Sequence, residues 1–107
     1  MKLNNKDIPY KKANSYFDEK KNKYVVEMEH NGLNHKIAQK FFHKPKITKL
    51  YIEGQGNDVW ENIDGKKTID DIAEILLEKY GDDANPVYER IGIFIKTLYK
   101  NKFIGFK

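Results

Sequence analysis

The most regular pattern of apolar and polar positions lies in residues 56 to 81. Val59, Trp60 and Ile63 fall on one face of a predicted short helix. A second apolar stripe repeats every three or four residues and predicts a longer helix: Ile69, Ile72, Ala73, Leu76 and Tyr80. Between the two helices, Asp64-Gly65 is typical of a tight turn, because glycine adopts positive φ without steric cost.

The ends of the longer helix are marked by their own residues. Thr68 is suited to the N-cap, and Asp71 occupies the capping-box position three residues later. Gly81 provides the C-terminal stop. Two helices joined in this way form the base of helix-turn-helix and winged-helix domains.

The first half of the chain carries strand patterns instead. Residues 14 to 29 predict a β-hairpin with a charged turn at residues 18 to 22. Residues 46 to 53 predict a further strand, with Leu50 and Ile52 on the face that points to the helices. We therefore expect a small antiparallel sheet of three strands.

Residues 31 to 45 fit two interpretations. Apolar residues at helical spacing favour an amphipathic helix at residues 34 to 43, closed by Pro45. The competing interpretation makes Asn31-Gly32 a hairpin turn that leads into a strand at residues 34 to 42.

The two ends of the chain are predicted as follows. Residues 1 to 13 form an extended or frayed tail, anchored by Ile8 and Tyr10. Pro86 starts a last helix that runs to about Lys102, and residues 103 to 106 form a short closing strand.

The last helix is apolar over a wider arc than one core face requires. Its expected core stripe is made of four residues: Val87, Ile91, Phe94 and Leu98. A second row lies about 100° round the helix: Tyr88, Gly92, Ile95 and Tyr99. This second row needs a partner.

Composition narrows the class of protein. A length of 107 residues predicts one domain with a single core. The chain has no cysteine, no signal-peptide pattern and no apolar run long enough to cross a membrane, which favours the cytoplasm. Net charge is +4, with five lysines and no acid in residues 33 to 50. This basic segment could attract an acidic peptide, nucleic acid or an anionic membrane surface.

No residue pattern points to catalysis. Ser15 is the only serine and lacks the Gly-x-Ser-x-Gly context of a nucleophile. His30, His35 and His43 fit none of the common zinc spacings. We therefore expect a non-enzymatic protein without metal or cofactor.

The sequence Gly-x-x-Val-Trp-x-x-Ile-Asp-Gly-Lys-x-Thr-Ile-x-x-Ile, which begins at Gly56, and the later Tyr80-Gly81 resemble the PqqD family. The resemblance extends from about Ile8 to Phe106. It implies one PqqD-like domain over residues 1 to 107, with residues 1 to 13 as an N-terminal extension and 31 to 45 as an insertion. The expected fold class is α+β, winged helix-turn-helix-like, with a small antiparallel β-sheet followed by three α-helices.

Proteins of this family recognise leader peptides in the biosynthesis of peptide-derived natural products. The resemblance places the peptide between the third strand and the third helix. On the strand side it implies Ile47, Thr48, Lys49, Leu50, Tyr51 and Ile52; on the helix side it implies Tyr88, Gly92, Ile95 and Tyr99. The implied partners are a precursor peptide and a modifying enzyme such as a radical-SAM protein.

The residues themselves also agree with peptide binding. An edge strand exposes backbone N–H and C=O groups that a peptide can pair with, and Gly92 allows a backbone to approach closely. Lys46 and Lys49 are placed to pair with acidic residues of the peptide. The alternative for Tyr88, Ile95 and Tyr99 is core packing against the hairpin. If the row forms the groove, we expect Ile95→Asp to abolish peptide binding with little loss of fold, because Ile95 lies beside the core stripe; if the variant unfolds, the row is core.

Three alternatives remain open at this stage. The helix order and positive charge also fit a winged-helix DNA-binding protein, although the last helix lacks a basic N-terminal end for reading bases. Residues 33 to 44 could attach the protein to a membrane surface. The exposed edge strand could also pair with a second copy of the chain.

Overall fold

The computed structural model describes residues 2–30 and 46–107. Within these residues the elements follow one another in this order: β1 (Pro9–Lys11), β2 (Asn14–Asp18), β3 (Lys23–His30), β4 (Lys46–Tyr51), α1 (Gly56–Glu61), α2 (Ile69–Tyr80), a 3₁₀ turn (Gly81–Ala84), α3 (Val87–Lys100) and β5 (Ile104–Phe106). The mixture of small antiparallel sheets and three helices confirms the predicted α+β class. Both interpretations of residues 34 to 43, and the insertion assigned to residues 31 to 45, lie outside the described residues.

The predicted hairpin and the following strand form one antiparallel sheet in the order β2-β3-β4. Phe17 pairs with Tyr24 across the hairpin, and Val26 pairs with Leu50 in the next ladder. The carboxylate of Asp18 shapes the hairpin turn, because it accepts the N–H groups of the second and third residues after it at 3.0 and 3.2 Å. This part of the sequence-based prediction is confirmed.

A second sheet joins the two ends of the chain. β1 pairs antiparallel with β5, with Tyr10 opposite Gly105. The preceding residues are also held, because the carbonyls of Asn5 and Asp7 accept the first N–H groups of α2 at 3.0 and 3.1 Å. These carbonyls satisfy helix donors that have no partner within the helix. The N-terminal segment is therefore an ordered part of the fold, and the alternative of a frayed tail is wrong.

The central helical unit follows its sequence signals closely. Asp71 N–H donates to Thr68 Oγ1 at 3.1 Å, and Thr68 N–H donates to Asp71 Oδ2 at 2.9 Å, which completes the capping box. The Asp64 carboxylate holds the preceding turn by accepting two backbone N–H groups at 2.8 and 2.9 Å. Gly65 and Gly81 both adopt positive φ, as their turn positions require.

The core lies between the inner face of the β2-β3-β4 sheet and the helices. Its largest fully buried side chains include Val26, Ile52, Trp60, Ile63, Ile72, Ile95, Leu98, Phe103 and Ile104. The indole N–H of Trp60 donates to Ser15 Oγ at 3.0 Å, so this buried polar group is satisfied. Trp60 is thus a core residue that also ties α1 to β2.

None of the helices in residues 2–30 and 46–107 has the length and apolarity to span a lipid bilayer.

Candidate functional site

The candidate site begins at the outer edge of β4. Within the described parts of the chain, β4 pairs with β3 alone. Ile52 N–H donates to the carbonyl of Tyr24 at 2.9 Å, so Ile52 and Tyr24 form a hydrogen-bonded pair of the ladder. Such pairs alternate in an antiparallel ladder, so the backbone groups of Ile47, Lys49 and Tyr51 point away from β3.

The two faces of β4 differ in what they contact. On the inner face, Leu50 is half-buried against the core and Ile52 is fully buried. On the outer face, Ile47 and Tyr51 are exposed. The side-chain orientation predicted from the alternation of apolar residues is confirmed.

Phe94 of α3 lies close to the end of β4. Gly56, the first residue of α1, lies between them: a Cβ atom at this position would be 3.1 Å from Cγ2 of Ile52 and 3.5 Å from Cζ of Phe94. Only glycine permits this approach without displacing a neighbouring side chain. We call the surface of α3 formed by Phe94 and Arg90 the strand side.

A cavity of about 160 Å³ opens on the strand side, directly after β4. Its walls are apolar: Val59, Leu76, Ala84, Val87, Ile91 and Phe94. Its polar lining comes from Glu53, Gln55 and Arg90. A dry apolar cavity of about 150 Å³ in another protein holds a benzene molecule, so this volume accommodates one apolar side chain.

The polar lining of the cavity is held in place by hydrogen bonds. Gln55 Nε2 and Arg90 Nη1 each donate to the carbonyl of Asp83 at 2.9 Å. Arg90 is the only arginine of the chain. Its guanidinium thus lies at the cavity with further N–H donors available for a ligand carboxylate or carbonyl.

The second apolar row of α3 lies elsewhere. At about 100° per residue, Tyr88, Gly92 and Tyr99 are 120° to 160° round the helix from Phe94. The Tyr88 hydroxyl donates to Asp70 Oδ1 at 2.8 Å, and the Tyr99 ring lies 5.3 Å from that of Phe106. We call this surface the tyrosine side. Tyr88 and Tyr99 thus contact α2 and β5. A cavity of about 530 Å³ borders Tyr88 and Gly92, and its lining comes from α3, Ile69 and the N-terminal residues Lys2, Leu3 and Asn5.

Ile95 requires a correction. Its side chain is 0% exposed and belongs to the core cluster, whereas Phe94 is only half-buried. The expectation that Ile95 lies beside the core stripe is therefore wrong. Either residue gives apolar spacing of three and four with Ile91 and Leu98, so the pattern of α3 alone does not decide between them.

The polar cluster of Asp58, Lys79 and Tyr80 was not singled out from the sequence. Lys79 Nζ donates to Asp58 Oδ1 at 2.7 Å, and the Tyr80 hydroxyl donates to Asp58 Oδ2. Burial acts to raise the pKa of Asp58, but these two hydrogen bonds outweigh it and hold the pKa below its ordinary value. The cluster connects α1 to α2, and its partners are 21 and 22 residues apart in sequence, too far for a local motif.

Lys49 is the charged residue at the centre of the β4 edge. Its Nζ lies 3.4 Å from Glu27 Oε1 on β3. The hydrogen bond with Glu27, and the charge of that carboxylate, raise the pKa of Lys49 above its ordinary value. Over residues 2–30 and 46–107, no group of three histidine or acidic side chains is placed to hold a metal ion.

A comparison with protein families finds a match to this part of the chain. The model described as "Coenzyme PQQ synthesis protein D (PqqD)" matches residues 51–104, from the end of β4 to the start of β5. No curated protein and no solved structure matches the chain. The matched range contains α1, the capped α2 and α3, and it covers just over half of the sequence. The chain therefore belongs to the PqqD family.

Proposed function

We propose that this protein recognises the leader segment of a ribosomal precursor peptide and presents it to a modifying enzyme. The leader adds as a strand to the outer edge of β4. The observation that carries this proposal is the outward-pointing backbone of Ile47, Lys49 and Tyr51, at an edge that ends directly beside an apolar cavity. Backbone bonds supply affinity in such complexes, and side-chain pockets supply specificity.

Family membership supports the same role. PqqD proteins are accessory proteins in biosynthetic pathways that start from a peptide, and the family is non-catalytic. The finer features are part of our proposal: the leader as ligand, a radical-SAM protein as the modifying enzyme, and the cytoplasm as the place of action. DNA binding and membrane attachment have no comparable support from the described contacts.

The proposed binding site differs from the sequence-based one on its helix side. We keep residues 47 to 52 as the strand wall. In place of the tyrosine side we assign Phe94 and Arg90, because they border the cavity that follows β4. One apolar leader side chain would enter this cavity, and Arg90 would bind a neighbouring carbonyl or carboxylate of the leader.

The test replaces one backbone donor of the β4 edge. Lys49→Pro removes an N–H that points outward and leaves the N–H groups bonded to β3 intact. The control Lys49→Thr retains this N–H but loses the lysine side chain and its contact with Glu27. Both proteins are titrated with the leader region of the small peptide encoded nearest to the protein's gene, followed by amide chemical shifts. A random DNA duplex is titrated in parallel.

We expect Lys49→Thr to bind the leader less than about fivefold more weakly than the unchanged protein, because it loses only the lysine side chain. Lys49→Pro should bind at least about tenfold more weakly than Lys49→Thr, because it also loses the backbone N–H. Circular dichroism checks that both variants remain folded. Equal affinity of the two variants would contradict strand addition at this edge. Chemical-shift changes with DNA but not with the leader would contradict peptide recognition itself.

A further inference from the structure

The outer face of the sheet is organised in rows that run across the strands to the edge of β4. In one row, Tyr16 pairs with Val25 and Val25 pairs with Tyr51. In the next row, Asn14 pairs with Glu27 and Glu27 pairs with Lys49. Side chains that are directly opposite one another on neighbouring strands contact each other on the same face. A strand added to β4 would therefore extend both rows.

The first row is apolar and open at its end. Val25 is 0% exposed and lies outside the main core cluster, between two tyrosines that are 45% and 42% exposed. Lys21 Nζ is 4.5 Å from the ring centroid of Tyr51, so this ring already takes part in a cation–π contact. A residue beside Tyr51 on an added strand would meet the exposed part of an aromatic ring, which favours an apolar side chain.

The second row is charged. The side chain of Lys49 is 48% exposed although it contacts Glu27, so its ammonium group can contact a second carboxylate on its other side. Glu27 lies on β3, one strand further from the edge, so the charge that an added strand would meet is that of Lys49. One lysine between two carboxylates on adjacent strands is a favourable cross-strand arrangement.

Ile47 lies two residues from Lys49 on the same outer face and is 52% exposed. The outer face of the β4 edge thus presents apolar, basic and apolar side chains in succession, at Tyr51, Lys49 and Ile47. This order is the same when read in either direction along the strand.

From this arrangement we infer that the outer face selects leaders with the sequence pattern apolar-x-acidic-x-apolar, in which the acidic residue lies opposite Lys49. The inference rests on strand addition at β4, the proposed function. The intervening x residues point to the inner face, toward Leu50 and the strand side of α3. Since the pattern is symmetrical, it holds for a parallel and for an antiparallel leader.

The test is a selection from a displayed library of random segments of about nine residues, longer than β4 itself. One selection uses the unchanged protein. The other uses the double variant Glu27→Lys with Lys49→Glu, which reverses the charge at the edge but retains an ion pair between β3 and β4. A third selection uses the Lys49→Pro variant as the control for binding at this edge.

We expect the unchanged protein to enrich acidic over basic residues at the central position, about fivefold, with apolar residues two positions away on each side. The charge-reversed protein should enrich lysine or arginine at that centre and leave the x positions unchanged. Two outcomes would overturn the inference and leave strand addition intact. One is enrichment over the Lys49→Pro control without a charge preference at the centre; the other is the same acidic preference in the unchanged and the charge-reversed protein. Failure to enrich any segment over the Lys49→Pro control would overturn strand addition and the inference together.

Discussion

The strand side and the tyrosine side of α3 both carry large side chains, but they contact different things. On the strand side, Phe94 and Arg90 border a cavity that is open to a ligand. On the tyrosine side, Tyr88 bonds to Asp70 at the start of α2, and Tyr99 packs against Phe106 of β5. A cavity of about 530 Å³ also borders the tyrosine side, at Tyr88 and Gly92, but N-terminal residues line it and β4 does not. The strand side thus faces a cavity at the end of β4, whereas the tyrosine side faces α2, β5 and the N-terminal residues.

This difference shows why a wide apolar arc is a weak sign of a binding site. The arc does need a partner, but the partner can be a distant segment of the same chain. Here α2 and β5 take that place, through Asp70 and Phe106. A glycine in the arc is equally ambiguous, since the open space beside Gly92 belongs to a cavity that is lined by N-terminal residues and not by β4.

The largest effect on stability is expected for Ile95→Asp, which distinguishes a core position of Ile95 from a position on a binding surface. The side chain is fully buried, so the substitution places a carboxylate in the core. Such a group has to be buried without a partner or protonated, and we expect a loss of about 4 kcal/mol or more in the free energy of unfolding. Chemical denaturation followed by circular dichroism measures it.

Ile93→Asp provides the matched control, because Ile93 is 69% exposed on the same helix. Its cost should stay below about 1 kcal/mol, mainly from the lower helix propensity of aspartate. If Ile95→Asp were as stable as Ile93→Asp, Ile95 would not be a core residue in solution. The original expectation of binding loss with little loss of fold would then stand.

A smaller effect is expected for Asp58→Asn, which weakens the connection behind the strand-side cavity. α1 and α2 supply Val59 and Leu76 to the cavity wall, and Asp58 joins these helices through Lys79 and Tyr80. Replacing a carboxylate that accepts two hydrogen bonds should cost about 1–2 kcal/mol of unfolding free energy at neutral pH.

The pH dependence of this effect follows from the lowered pKa of Asp58. The folded protein binds the proton less readily than the unfolded chain, so the ionised carboxylate stabilises the fold above its ordinary value of 3.8. This contribution is lost as the pH falls through the folded-state pKa. The difference between Asp58→Asn and the unchanged protein should therefore shrink in acid. Asp82→Asn, which changes an exposed carboxylate, controls for replacing an aspartate by its amide. A difference between Asp58→Asn and the unchanged protein that is constant with pH would contradict the role of the charge.

The fold could be predicted from the sequence wherever the signal is local. The Thr68 and Asp71 capping box, the Asp64-Gly65 turn and the alternation of Leu50 and Ile52 each depend on residues within a few positions of one another, and each is confirmed. The resemblance to the PqqD family rests on the same compact stretch.

The parts that could not be predicted depend on long-range contacts. The position of the N-terminal segment is set by hydrogen bonds to α2 that join residues more than 60 positions apart. The rotation of α3, which buries Ile95 rather than Phe94, depends on which segments pack against each side of the helix. The cavity is equally non-local, since α1, α2 and α3 all contribute to it.

The smallest effect is expected for Tyr88→Phe on the tyrosine side. The lost hydrogen bond to Asp70 is exposed to water, since Tyr88 is 44% exposed, so stability should fall by only about 0.5 kcal/mol. Leader affinity should not change, because the tyrosine side faces away from β4. The corresponding change on the strand side, Phe94→Leu, shortens one wall of the cavity and should weaken leader binding several-fold in the same titration. If Tyr88→Phe weakened binding as much as Phe94→Leu, the tyrosine side would have to be part of the binding site, and the distinction between the two sides of α3 would fail.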